Sequence, residues 1–457
     1  MRRWELALGC ALALWAALAL IAGLWGAELN WSWPAWRFAF GAAALWGICW
    51  LLILRAAGPS RLMSEVPLLT GGVGLLMTLF GTGSYWATTQ LYPTYRLPIE
   101  EAAWFVSCCM LVTLVALTAS SASPAAKKER PRLEWDWPRL RALTFLLGGL
   151  AFVGTVGSLY RIGYVPILTG DPTSARVEFP VIGGAFYRLS MLGGVVALLV
   201  ACQAAARRAS LALWVIGGAS LLMVGLYGPR FFVILPIAVG VLLWDRVRQA
   251  LPLRRMLIAA LVTIPLLAMA GYWRERETGV ALLGPVGVFF YGTLGEFRDL
   301  AWTLNFYGTG QHFLQGATLG SLVVPILPTP FWTLLGIDKG AVYANSSAAI
   351  LGDQMGQSTG QRIGAYGEFY MNFGWTGALI GAALYGLLLG YLHARFREAR
   401  AQEVRSLLLA LAIATAIFAQ LGQLNMFTST LTGLGYPILG VALLAAHRPV
   451  SRSPAKA

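Results

Sequence analysis

Apolar runs long enough to cross a membrane recur along nearly the whole chain, and they restrict its fold more than any other feature. They extend over roughly 17 to 25 residues, and about 20 helical residues cross ~30 Å of hydrocarbon. Only 12% of the 457 residues are charged, and the mean hydropathy is +0.66. A soluble chain carries about 25% charged residues. We therefore predict an all-α polytopic membrane protein and do not expect a soluble enzyme.

The apolar runs predict about twelve transmembrane helices with both termini in the cytoplasm. Arg2 and Arg3 precede the first run, which favours a cytoplasmic amino terminus. Alternation then places roughly two thirds of the 34 lysines and arginines on the cytoplasmic side, as the positive-inside rule requires. A cleavable signal peptide is the alternative for the first run. The predicted spans are 6–26, 37–54, 66–84, 100–119, 142–160, 184–204, 210–227, 230–244, 256–272, 364–391, 406–423 and 431–446.

The same pattern divides the chain into parts within one membrane domain, 1–457. Four amino-terminal helices (1–119) precede a polar, basic linker (120–141) that we place in the cytoplasm. A larger helical bundle (142–447) and a cytoplasmic tail (448–457) follow. Two long outer loops, 161–183 and 273–363, interrupt the bundle, and loops of that length tend to be functional. In the second loop, the apolar stretches Val280–Phe290 and Gly316–Gly336 predict interfacial or re-entrant helices.

Composition also restricts the kind of ligand. The net charge of +14 could indicate nucleic acid, but the basic residues are distributed over short loops and form no single patch, so we predict no nucleic-acid partner. All five cysteines fall inside predicted spans, and the three histidines lie far apart in sequence. Neither a disulfide framework nor a metal-ligand spacing is present, so we predict no metal and no cofactor.

Arginines accumulate on the predicted outer face, where the positive-inside rule does not explain them. Charged groups near hydrocarbon are costly and usually functional, so these arginines predict a site for anionic groups. Structural alternatives stay open: Arg176 could pair with Asp171, Arg230 could be a snorkelling anchor, and the run from Arg274 to Glu277 could be a solvated ion-pair series. The arginines concerned are Arg161, Arg176, Arg188, Arg230, Arg274, Arg276, Arg298 and Arg362.

The densest group of polar side chains is QRIGAYGEFYMNFGWTG, at residues 361–377. A helix beginning near residue 363 places Tyr366 and Tyr370 on one face, and Glu368 and Asn372 on another. A glutamate this close to hydrocarbon needs a partner, so Glu368 either neutralises an arginine or serves chemistry. The glycine pairs that follow, Gly377/Gly381 and Gly386/Gly390, predict close helix packing.

These segments resemble the Wzy-type polymerases of bacterial surface polysaccharides, also called O-antigen polymerases. The resemblance is carried by GYVPILTGDPTSAR, YGPRFF, GATLGSLVVPILPTPFW and GQRIGAYGEFYMNFGWTGALIGAALYG. One departure is that Thr329-Pro330 stands where the family pattern leads us to expect a basic residue. The resemblance implies a GT-C-like membrane fold in the bacterial inner membrane, with an active site that faces the periplasm.

The resemblance also implies a reaction for polysaccharide biosynthesis. A glycan would move from an undecaprenyl diphosphate donor to the sugar of a lipid-linked acceptor, without metal or nucleotide sugar. A polysaccharide co-polymerase that regulates chain length would be a partner. The lipopolysaccharide O-antigen ligases share the general plan, and a ligase is one alternative, for which His312 is the candidate residue of the outer loop. A 12-helix transporter of lipid-linked oligosaccharide is another.

Roles for residues follow from that reaction, because a diphosphate gains charge as it leaves and arginines can stabilise it. We assign this role to Arg176, Arg230 and Arg362, with Arg274 and Arg298 as further contacts. Glu368 or Glu296 would be the base for the acceptor hydroxyl. The residues expected to orient sugar are Tyr366, Tyr370 and Asn372.

Overall fold

The computed structural model describes part of the chain. The described residues are 66–67, 69–74, 99–122, 133–169, 182–227, 230–247, 258, 265, 268–269, 271–273, 282–288, 296–309, 312–327, 329–354, 362–400, 402–422 and 424–447. The predicted spans 6–26 and 37–54 lie outside them, and 66–84 and 256–272 are described only in part.

The first half of the described chain is mainly helical. Its helices are α1 (Ile99–Ala122), α2 (Trp137–Ile162), α3 (Gly184–Ser190), α4 (Leu192–Ala205), α5 (Leu211–Gly225) and α6 (Arg230–Val247). A short strand, β1 (Glu134–Trp135), precedes α2, and a 3-10 turn lies at Pro166–Leu168.

Short helices occupy the region predicted as the second outer loop, and long ones follow. The short helices are α7 (Gly284–Val288), α8 (Glu296–Gly308), α9 (Gly320–Val323), α10 (Thr329–Leu334), α11 (Lys339–Ala344) and α12 (Ser347–Gln354), with a 3-10 turn at Ala317–Leu319. The remaining elements are α13 (Gly364–Glu398), α14 (Val404–Leu421), α15 (Leu424–Ala445) and β2 (Ala446–His447).

Four helices in the described residues are long and apolar enough to cross a membrane. They cover Trp137–Ile162, Gly184–Ala205, Gly364–Glu398 and Leu424–Ala445. Shorter apolar helices occupy Trp104–Ser120, Leu211–Gly225 and Val404–Gln420. This confirms the coarse prediction of an all-α membrane protein.

The helix ends show where apolar length alone misjudged the boundaries. Helix α2 begins five residues before the predicted 142, because Asp136 accepts a hydrogen bond from the Arg139 backbone amide and Pro138 follows the cap. The predicted span 184–204 agrees with the membrane-length segment Gly184–Ala205, in which Met191 separates α3 from α4 while keeping helical backbone angles. Helix α13 continues to Glu398, into the predicted loop 392–405, and α15 begins at Leu424 and not at 431.

The chain forms two compact units, which differ from the predicted division into 1–119, 120–141 and 142–447. One unit contains the described residues of Met1–Ser123, Leu251–Tyr391 and Ala416–Ser429. The other contains those of Pro124–Ala250, Leu392–Thr415 and Thr430–Ala457. We call them the outer-loop unit and the linker unit, after the predicted segments that they include.

In the linker unit, α4 is the central helix. It packs against α2, α5 and α6, and it is apolar on all sides, as a helix surrounded by others must be. At one end of this unit, β1 pairs antiparallel with β2, and the Trp135 amide donates to the Gln402 carbonyl at 3.0 Å. Strand β1 of the predicted linker therefore contacts Gln402, which precedes α14, and β2, which follows α15.

In the outer-loop unit, the core lies between α1, α8 and the first part of α13. Helix α8 is amphipathic, and Phe297, Leu300, Ala301 and Leu304 form its buried stripe at i, i+3, i+4 and i+7. The stripe meets α1 residues such as Phe105 in one continuous cluster. This cluster holds the segment that carries the candidate site.

Glycines in α13 bring it close to α1. A Cβ at Gly386 would collide with the Thr113 carbonyl oxygen, and one at Gly390 would meet the Leu117 carbonyl and the Ser120 side chain. The predicted packing role of this glycine pair is confirmed. Gly377 and Gly381 instead face phenylalanine side chains of α13 itself, Phe373 and Phe369.

Candidate functional site

Helix α13 is broken at Gly374. The backbone there has φ 67 and ψ −161, a conformation that is essentially restricted to glycine. A Cβ at this position would also lie 2.9 Å from the Phe313 ring. The predicted span 364–391 therefore lies within a membrane-length helix that contains a break: a short amino-terminal part ends at Gly374 and a longer part follows.

A loop from the predicted outer region covers this break. A broken helix leaves carbonyl groups without their usual partners four residues on. The Met371 carbonyl accepts the Leu314 amide at 3.0 Å, and the Asn372 carbonyl accepts the Gln315 amide at 2.9 Å. Gln315 and Gly316 adopt positive φ, 50 and 92, which turns the loop so that consecutive amides face the helix. We call residues 312–318 the covering loop.

The Asn372 side chain completes this connection. Its Oδ1 accepts the Gly316 amide at 3.0 Å, and its Nδ2 donates to Thr318 Oγ1 at 2.6 Å and to the Glu368 carbonyl at 2.7 Å. The residue is 0% exposed. Asn372 therefore binds the covering loop, and its predicted contact with sugar stays a prediction.

Glu368 lies beside Asn372 on the same helix face, as predicted, and is fully buried. Its Oε2 accepts the backbone amide of Leu424 at 3.0 Å. Leu424 is the first residue of α15, so the carboxylate caps a helix whose positive dipole end it faces. This contact explains why α15 begins earlier than its apolar run predicts.

The second carboxylate oxygen of Glu368, Oε1, accepts no hydrogen bond from the described residues. The Thr318 and Ser347 hydroxyls are its side-chain neighbours, although neither reaches hydrogen-bond geometry with Oε1. Among the described residues, no arginine or lysine forms an ion pair with Glu368. The alternative that it neutralises an arginine therefore has no support within this part of the chain.

Two of the predicted arginines meet at a buried aspartate. The Arg298 guanidinium donates to Asp299 Oδ1 through Nε at 2.8 Å and through Nη2 at 2.6 Å. The other oxygen, Oδ2, accepts the Arg362 backbone amide at 2.8 Å. Asp299 is 1% exposed. Through these bonds it links the amino-terminal turn of α8 to Arg362, two residues before α13. We call Arg298, Asp299 and Arg362 the arginine node.

The two tyrosines predicted to orient sugar lie in the core of the outer-loop unit. Tyr366 Oη is 2.9 Å from Thr113 Oγ1, and the Tyr370 ring packs edge-on against Phe105 at 5.4 Å between centroids. Both partners are on α1, so the prediction that the tyrosines share a face is confirmed. Tyr370 also meets Phe313 of the covering loop, at 5.8 Å and nearly perpendicular.

Tyr307 extends the aromatic group toward α12. It lies near-parallel to Phe313 at 6.3 Å between centroids, and the Gln354 amide is 3.4 Å from its hydroxyl. Burial raises the pKa of the Tyr307 phenol, and the Gln354 hydrogen bond opposes this only in part. The phenol is therefore a neutral hydrogen-bonding group, not an anion.

Several predicted site residues lie wholly or partly outside the described part of the chain. Arg176 and Arg274 lie outside it. Arg230 begins α6 and Glu296 begins α8, both at a helix start, but their side chains are not described. The predicted start of a helix at Arg230 is confirmed, and the roles of these four residues stay predictions.

Asp299 and Thr318 are residues of this region that the sequence did not single out. Asp299 follows an arginine directly, and such a neighbour pair is ordinarily a solvated surface feature. The available signal was its position on α8. Asp299 lies two residues after the start of the apolar stripe, which places the carboxylate beside the buried face. Thr318 carried no local signal, since its partner Asn372 is distant in sequence.

Within the described residues, no group of three histidine, cysteine, aspartate or glutamate side chains could hold a metal ion. Comparison of the chain with models of protein families, with curated proteins and with solved structures found no match.

Proposed function

We propose that this chain is a metal-independent membrane glycosyltransferase that polymerises lipid-linked oligosaccharide repeat units. In this proposal it has twelve spans, cytoplasmic termini and an active site facing the periplasm of the bacterial inner membrane. The glycan moves from an undecaprenyl diphosphate donor to a hydroxyl of a lipid-linked acceptor. The observation that carries the proposal is the arginine node, because it fastens two outer arginines from segments about sixty residues apart to one buried carboxylate.

The chemistry requires positive charge at the leaving group. The acceptor oxygen forms a bond to the anomeric carbon, the bond from that carbon to the diphosphate oxygen breaks, and the diphosphate keeps the electron pair. One arginine about 4 Å from a phosphate contributes roughly 4 kcal/mol at an effective dielectric near 20. Arg298 and Arg362, joined by Arg176, Arg230 and Arg274, would supply this charge.

Two features of the node suit an anion. Helix α8 begins at Glu296, so its free amides and positive dipole end lie next to Arg298. Asp299 uses both oxygens inside the protein, so it holds the segments in place and leaves the net charge of the two arginines and one aspartate positive. Because Asp299 fixes the Arg298 guanidinium, this side chain loses less freedom when it binds a phosphate.

The proton of the acceptor hydroxyl needs a base, and the two candidates are no longer equal. Glu368 is fully buried and caps α15 through Oε2, so it is a poor group to contact an acceptor sugar. Glu296 lies at the start of α8, near Arg298 in sequence. We therefore assign the base role to Glu296.

Chain extension by the purified full-length protein in proteoliposomes tests this function. The substrate is an undecaprenyl diphosphate-linked repeat unit, and the variants are Arg298→Ala, Arg298→Lys, Arg362→Ala and Arg362→Lys, with Arg230→Ala and Arg230→Lys beside them. Loss of one donor to a developing anion typically costs ~100- to 1000-fold in rate. We expect losses of that order from alanine and smaller losses from lysine.

Arg139→Ala is the matched control. Arg139 is exposed in the predicted cytoplasmic linker and pairs with Asp136 at the start of α2. Its loss should leave extension unchanged at equal protein amount. Near-normal polymer from Arg298→Ala and Arg362→Ala, with unfolding temperatures like the control, would exclude the arginine node from catalysis.

A transporter of lipid-linked oligosaccharide is the second candidate, and the break at Gly374 favours it. Transporters often build their sites at interrupted membrane helices. Cellular products distinguish the classes. Loss of a polymerase leaves single repeat units on the lipid A core, loss of a ligase leaves none there, and loss of a transporter strands the units inside the cell.

A further inference from the structure

Residues 320–327 and 329–337 belong to a short apolar hairpin in the outer-loop unit, and we call these residues the wedge. It consists of α9, a turn at residues 324–327, and α10, and it ends at Ile337. At 1.5 Å per residue, the six residues of α10 extend only about 9 Å, far less than the ~30 Å of a bilayer core. The wedge is therefore too short to be a transmembrane span.

The hairpin is held together by a buried tryptophan. Trp332 Nε1 lies 3.1 Å from the Val324 carbonyl oxygen and 3.0 Å from that of Leu327, so one indole N–H serves two turn carbonyls. The Ile326 amide donates to the Val323 carbonyl at 3.0 Å. Polar backbone groups of the turn are thus bonded inside the hairpin.

The end of α10 is closed in the same manner. The Ile337 amide donates to the Trp332 carbonyl, and the Gly336 amide donates to the Thr333 carbonyl, both at 3.0 Å, while Gly336 has φ 68. This is the Schellman arrangement, which satisfies carbonyls that a helix end otherwise leaves to water. Asp338 then accepts the Gly340 amide at 2.7 Å and begins α11.

The outer surface of the wedge is strongly apolar. Phe331, Leu334 and Leu335 lie at i, i+3 and i+4 on one helical face and are 53%, 83% and 61% exposed. The other large apolar side chains that the wedge exposes are Val323, Ile326 and Ile337. Monomeric proteins in water rarely expose a continuous apolar surface of this kind without a partner.

We infer that the wedge inserts into the hydrocarbon of one membrane leaflet and anchors the outer-loop unit there. Lipid is favoured as the occupant by two observations besides the apolar face. In the turn, the Val324 and Leu327 carbonyls and the Ile326 amide are bonded internally, as are the Gly336 and Ile337 amides at the α10 end, and such bonding is what hydrocarbon demands. The polar side chains of Asp338 and Lys339 follow immediately, as at a membrane surface, and the Lys339 ammonium lies 5.9 Å from the Tyr343 ring centroid.

This inference does not depend on the proposed catalytic activity. It narrows the prediction of interfacial or re-entrant helices at Gly316–Gly336 to a defined segment and a defined face. It also gives the segment before Lys339 a role that its departure from the polymerase pattern left without one. The kind of partner is the acyl-chain region of the bilayer, not a protein or a glycan.

Spin labels in the full-length chain test the inference. The five native cysteines are replaced by alanine, and single cysteines are introduced as Leu334→Cys, Leu335→Cys and Asp338→Cys. A fourth variant, Leu443→Cys, gives a reference on the exposed side of the membrane-length helix α15, where Leu443 is 86% exposed. Labelled proteins are reconstituted in vesicles of phosphatidylethanolamine and phosphatidylglycerol, and collision rates with oxygen and with a water-soluble nickel chelate are measured.

Insertion predicts that labels at positions 334 and 335 resemble the label at 443. Oxygen collisions should exceed chelate collisions several-fold at these positions, and the ratio should reverse at 338. A chelate rate at 334 and 335 equal to that at 338 would show a surface in water and overturn the inference. Low rates for both probes would show burial by a second copy or another protein and would overturn it as well.

The inference can still be refuted if one variant misfolds. The labels at 334 and 335 are on the same face but are independent substitutions, and size-exclusion profiles in detergent identify any variant that aggregates. A further measurement uses the unlabelled protein: quenching by lipids brominated near the bilayer surface or near its centre gives a depth for tryptophans. Removal of Trp332 as Trp332→Phe should reduce the quenching by shallow bromines more than the quenching by deep ones, and an unchanged difference would count against insertion.

Discussion

Removal of the Asn372 side-chain amide is expected to release the covering loop from helix α13. In Asn372→Ala, the Gly316 amide loses its acceptor and Thr318 Oγ1 loses its donor. Thr318 is 0% exposed, so water does not replace the lost partner without opening the structure. A polar group left unsatisfied in this way costs about 1–3 kcal/mol, and two such groups imply a loss of about 3 kcal/mol in local stability.

Amide hydrogen exchange measures this loss where it occurs. Exchange through local opening accelerates in proportion to the opening equilibrium, and each 1.4 kcal/mol corresponds to a factor of ten. The amides of Leu314, Gln315 and Gly316 should therefore exchange roughly 100-fold faster in Asn372→Ala. Peptides from α2, in the linker unit, should exchange as in the wild type.

Asn345→Ala is the control for this experiment. Asn345 is exposed, and its amide makes only a long contact, 3.4 Å, to the Ala341 carbonyl. Its loss should leave exchange in residues 312–318 unchanged. Equal exchange of the covering loop in Asn372→Ala and the wild type would refute the view that Asn372 holds this loop on the broken helix.

Three further substitutions test the same region through unfolding of the purified protein in mixed detergent micelles. Gly374→Ala should destabilise the protein by about 2 kcal/mol or more, because alanine is strained at this backbone conformation and its Cβ meets Phe313. The control is Gly218→Ala on α5, where a Cβ meets nothing within 4 Å, and it should be neutral or stabilising. Equal effects of the two substitutions would contradict the strained break. Asp299→Ala should cost about 3–5 kcal/mol of stability, because it leaves the Arg298 charge without its buried partner. Asp299→Asn should cost less, because the amide oxygen can still accept the Arg362 backbone amide. An unchanged stability of Asp299→Ala would show that the arginine node does not stabilise the fold. Glu368→Ala should cost about 2 kcal/mol of stability through loss of the α15 cap. Its control, Glu398→Ala, removes an exposed glutamate and should cost less than about 0.5 kcal/mol. A smaller loss of stability at position 368 than at position 398 would disprove the capping role.

Much of the helical framework follows from the sequence because it depends on local apolar length. The predicted spans at 100–119, 210–227 and 230–244 correspond closely to α1, α5 and α6. Their ends are set by nearby residues: Ser210 accepts the Leu213 amide at the start of α5. Information of this kind lies within a few residues of the boundary, so a single sequence contains it.

The break in α13 follows a different logic. Gly374 lies in an apolar run where glycines ordinarily indicate helix packing, as Gly386 and Gly390 do here. The break is stable because amides of Leu314 and Gln315, nearly sixty residues earlier, bind the carbonyls that it frees. A local pattern does not contain a partner at that distance, so the sequence predicted one continuous span.

The candidate site shows the same limit of local information. The sequence placed Tyr366 and Tyr370 on one helix face and Glu368 and Asn372 on another, and the structure agrees. It could not indicate which neighbour each face meets. Tertiary contacts direct the tyrosines to α1, Asn372 to the covering loop and Glu368 to the start of α15.

The central claim of this account is that outer arginines from separate segments surround a lipid-borne diphosphate. An experimental structure of the full-length chain in lipid nanodiscs, with undecaprenyl diphosphate bound, tests it most directly. The account predicts phosphate oxygens within hydrogen-bond distance of the Arg298 or Arg362 guanidinium groups, with Arg230 and Arg176 in the same shell. A diphosphate bound elsewhere, with the arginine node facing bulk water, would contradict the account.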